Sequence, residues 1–397
     1  MKIALVHLRH AQVGGTERVL DEVSRRLALR GHEVTIVCRS HVEPSHEAIR
    51  FHVLKSPVIG SAWRMWAFAI AVKRHVQSGR YDLVYSLGRT WSQDVIRCSG
   101  GSHTTWIEQV RRAKTSRSRI IPPLHALKDR LAVAIERRAY APGAYRKVIV
   151  NSRLVGDDLA ARYGIPREAL KIIYNGVDLA RFRPIDPRQR AEHRRVLGAS
   201  PGEILFLFLG RGFERKGLER LLRAFVEVAA REPLARLSVV GRDSTQPRYE
   251  ALAAELGLGD RVRFHGERRD PQLCLAAADV HVLPTWYDSF AFTVLESLAC
   301  GTPAITTDHA GASELIDRGV QGDVLEADCD PSALAKSLLA WCDTDRRRVA
   351  GPAARTRAES YGFDATMGRM IDVLEDAERE LRAGAPGDPP PPRARPA

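Results

Sequence analysis

Lys2-Ile-Ala-Leu-Val-His-Leu8 opens the chain as an apolar run of strand length, and the loop Arg9 to Gly15 leads from it into Thr16-Glu-Arg-Val-Leu-Asp-Glu-Val-Ser-Arg-Arg-Leu27. Val19, Leu20, Val23 and Leu27 fall on one helical face, Gly31 closes the helix, and Glu33-Val-Thr-Ile-Val-Cys38 reads as a second strand. Strand, helix and strand in this order make a βαβ unit, the start of a parallel sheet. Tyr81 to Ser86 and Lys147 to Asn151 read as further strands of the same half. The second half repeats the alternation, with strands at Ile204–Leu209, Leu237–Val240, Val262–Phe264, Val280–Leu283 and Ala304–Thr306, and helices from about Gly217 and near Tyr249 to Leu256. Asn175-Gly-Val-Asp-Leu-Ala-Arg-Phe-Arg-Pro184 and the charged stretch to Ala199 have the composition of a boundary. The expected fold class is α/β, with two doubly wound, Rossmann-like domains and a cleft at the carboxyl ends of their strands as the default site.

Length and composition agree with two soluble domains. The chain has 397 residues, 44% of them hydrophobic and 27% charged. Its longest apolar run, Met65 to Val72, falls far short of the ~20 residues that a spanning helix needs. The first residues carry too short an apolar stretch for a signal peptide, so a cytoplasmic protein is expected. Cys38, Cys98, Cys274, Cys300, Cys329 and Cys342 are scattered without metal-binding spacing and read as reduced thiols. Lys and Arg number 61 against 48 Asp and Glu, a surplus of +13 that calls for an anionic partner: phosphate, nucleic acid or acidic lipid. One basic stretch, Arg111 to Arg138, is interleaved with Ile120, Ile121, Leu124, Leu127, Leu131, Val133 and Ile135, while the Pro-rich tail from Gly384 is expected to be disordered.

Three loops could carry chemistry. Gly14-Gly15-Thr16-Glu17 allows close backbone approach at a helix start that favours an anion, although Thr16 as a plain N-cap accounts for it equally well. It is not a dinucleotide fingerprint, and Cys38-Arg39 stands where an acidic ribose ligand of a dehydrogenase would be. Gly210-Arg-Gly-Phe-Glu-Arg-Lys-Gly217 brings Arg211 and Lys216 to a helix start, where cations oppose the dipole and a pyrophosphate could sit, a solvated surface being the plain alternative. In Thr285 to Pro303, Asp288 could be a simple cap, but Glu296 lies among Val294, Leu295, Leu298 and Ala299, where a carboxylate needs a partner such as a ribose diol. A hydrolytic pair of Asp288 and Glu296 has only their spacing in its favour.

Together with Tyr174-Asn-Gly-Val-Asp178, these motifs resemble the retaining nucleotide-sugar glycosyltransferases of family 4, which have the GT-B fold, over nearly the whole chain. The resemblance implies an acceptor-binding domain over 1–175, a nucleotide-sugar-binding domain over 176–362, a helix over 363–383 packing back toward the first domain, and a tail over 384–397. It places Gly14 and Gly15 near donor phosphate and acceptor, Arg211 and Lys216 on the diphosphate leaving group, and Glu296 on the ribose. Asp288 falls where the family pattern has Glu, whose carboxylate contacts the donor sugar. The backbone of Ser289, Phe290, Ala291 and Phe292, and of Gly311, would approach the sugar hydroxyls, and the base would be read near Phe264. Gly100-Gly-Ser-His-Thr-Thr-Trp106 is similar to a segment of lipopolysaccharide core glucosyltransferases, which puts His103 at the donor sugar and leaving phosphate, although a lone His is also an ordinary structural residue.

The implied reaction moves a hexose, with UDP-glucose as the first choice of donor, to a hydroxyl of a glycolipid or saccharide acceptor with retention. Cell-envelope glycan synthesis such as that of the lipopolysaccharide core is the expected setting. No metal or other cofactor is called for besides the nucleoside diphosphate sugar as co-substrate. The basic-apolar stretch 111–138 would hold the protein peripherally on the anionic inner leaflet, a solvated helix face being the plain alternative. Two rivals remain: a nucleotide-sugar epimerase of the same fold, and a nucleic-acid-binding protein, for which no aromatic strand motif or recognition helix is present.

Overall fold

The computed structural model describes residues 1–11, 15–55, 60–78, 81–113 and 123–384. Gly14, residues 114–122 of the basic stretch and the tail from 385 lie outside the described residues. The chain forms two compact units: the first takes the described residues of 1–106, 118–173 and 366–397, the second those of 107–117 and 174–365.

In the first unit the strands are β1 (Lys2–Val6), β2 (Glu33–Cys38), β3 (Arg50–Val53), β4 (Leu83–Ser86), β5 (Val95–Cys98), β6 (Lys147–Val150) and β7 (Leu170–Ile172). They form one sheet in the order β3-β2-β1-β4-β5-β6-β7, parallel throughout. Ile3 to Val6 are fully buried, as expected of a central parallel strand covered on both faces. The helix Phe363–Arg382 buries Met367, Met370, Ile371, Leu374 and Ala377 at helical spacing. From Thr366 onward it belongs to the first unit. There the Tyr85 hydroxyl donates to Met370 Sδ (3.3 Å), Arg30 pairs with Glu375 (3.1 Å), and Lys147 pairs with Glu380 (2.8 Å).

In the second unit β8 (Ile204–Leu209), β9 (Ala235–Val240), β10 (Val262–Phe264), β11 (Val280–Leu283), β12 (Ala304–Thr307) and β13 (Gly322–Leu325) pair in the order β10-β9-β8-β11-β12-β13, again all parallel. Every residue of β8 is buried, and Phe206 packs edge-on against Phe225 of the following helix at 5.9 Å. Burying each such ring contributes about 2–3 kcal/mol. The charged stretch expected as boundary contains a helix, Pro187–Val196, capped by Asp186. It is fastened to this unit because Arg190 and Arg194 bind the two oxygens of Asp279 (2.6 and 2.7 Å), which also accepts the Leu205 N–H. Burial opposes the charge of Asp279, but the two guanidiniums outweigh it and keep the carboxyl below its ordinary range.

In each sheet the strand order reverses beside the unit's first strand, at β1/β4 and at β8/β11. Such switch points leave a crevice at the carboxyl ends of the strands, because the flanking connections depart to opposite faces.

Candidate active site

The loop after β8 and the loop after β11 meet at the switch point of the second sheet. Lys216 lies along Gly210: a Cβ there would stand 2.7 Å from Lys216 Cδ, so only glycine leaves room for this path. Gly217, at φ 77°, turns the chain into the helix Leu218–Arg231, and a Cβ on it would meet the Pro284 carbonyl oxygen at 1.9 Å. The two loops are stitched by the Arg215 carbonyl, which accepts from the Trp286 N–H (2.9 Å) and the Thr285 hydroxyl (3.1 Å). Lys216 Nζ then donates to Asp288 Oδ2 at 3.1 Å, and Arg215 NH1 donates to the same oxygen at 3.3 Å and to the Tyr287 carbonyl at 2.5 Å.

Asp288 is saturated. Its Oδ1 accepts the N–H groups of Phe290 (3.2 Å) and Ala291 (2.7 Å), while Oδ2 takes the two cations. Burial works to raise its pKa, but Lys216, Arg215 and the Ala291 N–H outweigh it, holding the carboxyl well below the usual range. Such a group stays ionised at neutral pH, which removes it from the acid role in a hydrolytic pair. Ala291 is the one non-glycine at positive φ among the described residues, at 63°, and it leads into the helix Phe292–Ala299. Strain of this kind concentrates where a loop must hold a set shape. The first N–H groups of that helix have no acceptor within it, so its start offers dipole and donors to an anion beside the two cations.

The remaining sequence candidates divide. Glu296 lies half-buried on the same helix. Phe290 is a core residue, 1% exposed and edge-on to Phe292, so only its backbone faces the loop. Ser289 and Phe264 are half-buried, and Phe292 is exposed. The Gly311 N–H donates to the Asp288 carbonyl (2.9 Å) and the Ala312 N–H to the Phe290 carbonyl (2.6 Å), so both groups brace the loop. Arg211 is turned out, 72% exposed and paired with Glu267. Two residues were not singled out from the sequence. Arg215 was hidden beside Lys216, with the same unfavourable position at a helix start as its only signal. Asp243, beyond β9, accepts the Phe213 N–H (2.8 Å) and so shapes the Gly210–Gly217 loop from below.

In the first unit the described loop residues gather at the carboxyl ends of β1 and β5. Gly15 opens the helix Gly15–Leu29, where Thr16 Oγ1 meets Ser99 Oγ at 3.4 Å. His103 opens the helix His103–Ala113 and is 7% exposed. Arg89 donates to its Nδ1 (3.0 Å), which leaves the ring proton on Nε2 to donate to Asp129 (2.8 Å). Its backbone N–H donates to Glu136 (2.9 Å), and Trp106, 42% exposed, stacks parallel to the ring at 5.6 Å. Asp129 and Glu136 both come from the helix Pro123–Ala139, the described end of the basic-apolar stretch.

Residues 13–181 match the family described as Glycosyltransferase Family 4, and residues 189–357 match Glycosyl transferases group 1. A D-inositol 3-phosphate glycosyltransferase of Thermomonospora curvata is 29% identical, over 94% of this chain and 93% of its own length. The two matches together span most of the chain, which is a glycosyltransferase of the family 4 type. WaaG, a glycosyltransferase involved in lipopolysaccharide biosynthesis, superposes with a TM-score of 0.74 at 22% identity, covering 94% of this chain and 99% of WaaG. Anabaena HepE, solved in complex with UDP and glucose, superposes with a TM-score of 0.68 at 20% identity, covering 95% and 100%. These likenesses make the fold GT-B.

This glycosyltransferase is a hexosyltransferase, and its second unit has the means to stabilise a leaving anion. Two cations share one carboxylate, so the cluster keeps a net positive charge, and the adjacent helix start adds to it. Among the described residues no group of three His, Cys, Asp or Glu side chains is placed to hold a metal ion.

Proposed function

We propose that this glycosyltransferase moves a hexose, UDP-glucose being the first choice of donor, from a nucleoside diphosphate sugar to a hydroxyl of a glycolipid or saccharide acceptor with retention. The observation that carries the reading is the Lys216–Asp288–Arg215 cluster at the start of the helix Phe292–Ala299. In the reaction the C1–O bond to the diphosphate breaks with its electron pair going to the phosphate oxygen. The acceptor oxygen bonds C1 on the same face, and its proton passes to that phosphate oxygen. Charge grows on the diphosphate as this happens, so fixed cations stabilise the transition state more than the ground state. Glu296 is assigned to the ribose and His103 to the donor sugar. Asp129 and Arg89 fix the tautomer and plane of the His103 ring.

HepE, also solved in complex with UDP-glucose, supports that donor, and WaaG supports an envelope-glycan setting. The likeness to D-inositol 3-phosphate glycosyltransferases supports a second acceptor class, a phosphorylated cyclitol. A melting-temperature panel of nucleoside diphosphates and their sugars tests the donor. A cleft ligand at a hundredfold excess over its Kd adds about 2.7 kcal/mol to stability, so uridine ligands should raise the melting temperature by degrees. A panel in which no nucleoside diphosphate moves it would remove the reading.

The setting proposed is the anionic inner leaflet. No described helix is long and apolar enough to cross a membrane. The helix Pro123–Ala139 nevertheless carries Lys128, Arg130, Arg137 and Arg138, with Leu127 39% exposed. The protein should co-sediment with anionic vesicles at low ionic strength and be released by salt. Equal recovery with neutral and anionic vesicles would discard membrane recruitment.

A further inference from the structure

Resting on the donor-site reading above, we propose that Arg215, rather than Arg211, is the second cation that holds the donor diphosphate beside Lys216. Arg215 is already ordered for this. Its NH1 is held by the Tyr287 carbonyl and Asp288 Oδ2, and its own carbonyl is held by Trp286 and Thr285. The side chain is 29% exposed, and its Nε and NH2 make no hydrogen bond among the described residues. One edge of the guanidinium is thus fixed to the protein. The other edge, Nε–H and NH2–H, is the two-donor fork that matches two oxygens of a phosphate. Lys216 has three donors and gives one to Asp288 Oδ2, the oxygen that Arg215 also binds. Both cations can therefore keep Asp288 and still donate to one pyrophosphate.

Arg211 has none of this preparation. It is 72% exposed, its one partner among the described residues is Glu267, itself 43% exposed, and that partner already offsets its charge. Recruiting it would mean ordering a largely exposed arginine side chain and breaking its ion pair. Asp288 acquires a corresponding role. With all its acceptor sites occupied by Arg215, Lys216, Phe290 and Ala291, it is a positioning residue for the two cations, and the sugar is left to other groups.

Calorimetric titration with uridine diphosphate and with uridine, on the wild type, R215Q, R215K and R211Q, tests the assignment. R215Q should bind the diphosphate at least about tenfold more weakly and uridine almost unchanged, since only the phosphates have lost a partner. R215K should retain part of the loss, having the charge without the fork, and R211Q should lose less than R215Q. The proposal is overturned if R215Q loses no more than R211Q, or if R215Q weakens uridine as much as the diphosphate, because that would mark a purely structural role. If the wild type binds neither ligand, the donor-site reading itself has failed, an outcome separate from both.

Discussion

Replacing Lys216 by Ala should lower kcat by roughly a hundred- to thousandfold, the range seen when one preorganised donor to a developing oxyanion is removed. The reason is position more than charge. Lys216 is 8% exposed, lies along the Cβ-less face of Gly210, and ends 3.1 Å from Asp288, so its ammonium is in place before any donor arrives. The turn beneath it does not depend on the side chain. The Lys216 N–H donates to the Gly212 carbonyl (3.0 Å), and the Arg215 carbonyl holds the neighbouring strand end. Stability should therefore fall by only about 1 kcal/mol, the worth of one lost hydrogen bond to a group that keeps other partners. Steady-state kinetics beside a thermal melt separates the two effects. Turnover within a few-fold of wild type, in a variant that melts normally, would falsify the assignment of Lys216 to the leaving group.

How much of this was visible in the sequence follows from where the residues lie. β1 and β8 could be read from continuous apolar runs because they are central strands, covered on both faces. β3 and β7 were not read, since they lie at the two edges of the first sheet and none of their residues is fully buried. β5 was missed for another reason: all four of its residues are buried, but one of them is Arg97, whose charge breaks the apolar signal. β13 begins on a glycine and carries Asp323 in its middle.

The candidate site shows the same division. Its loops could be found because Gly210, Gly217 and Asp288 mark the places where side chains are excluded or a helix begins. Which arginine turns inward could not be found. Arg211 and Arg215 are chemically alike, and only the Tyr287 carbonyl and the Asp288 carboxylate of the facing loop decide between them. Asp243 was equally invisible, being brought under the loop by β9 from 30 residues away.

Replacing Asp288 by Ala should have the largest effect on stability. It removes the acceptor of two N–H groups in a strained loop and the counter-ion of two cations, one of them buried. The carboxylate is itself 18% exposed, so water would satisfy part of what is left, and a loss of about 2–4 kcal/mol is expected. That corresponds to roughly 5–10 °C in melting temperature for a unit of this size. D288N divides the loss. Its amide oxygen can still accept from Phe290 and Ala291 and keep Ala291 in its left-handed conformation, but its amide N–H2 faces Lys216 and Arg215 with the wrong polarity. It should therefore recover about half of the stability lost in D288A, as thermal melts of the two variants would show.

The dependence on pH has a definite sign. Asp288 titrates lower in the folded protein than the ordinary aspartate value of 3.8, so its contribution is complete above that value and is lost as pH falls through the folded value. The gap in melting temperature between wild type and D288N should accordingly be constant near neutrality and narrow below about pH 4. A gap as wide at pH 3 as at pH 7 would mean that the carboxylate's charge is not what holds Lys216 and Arg215 in place.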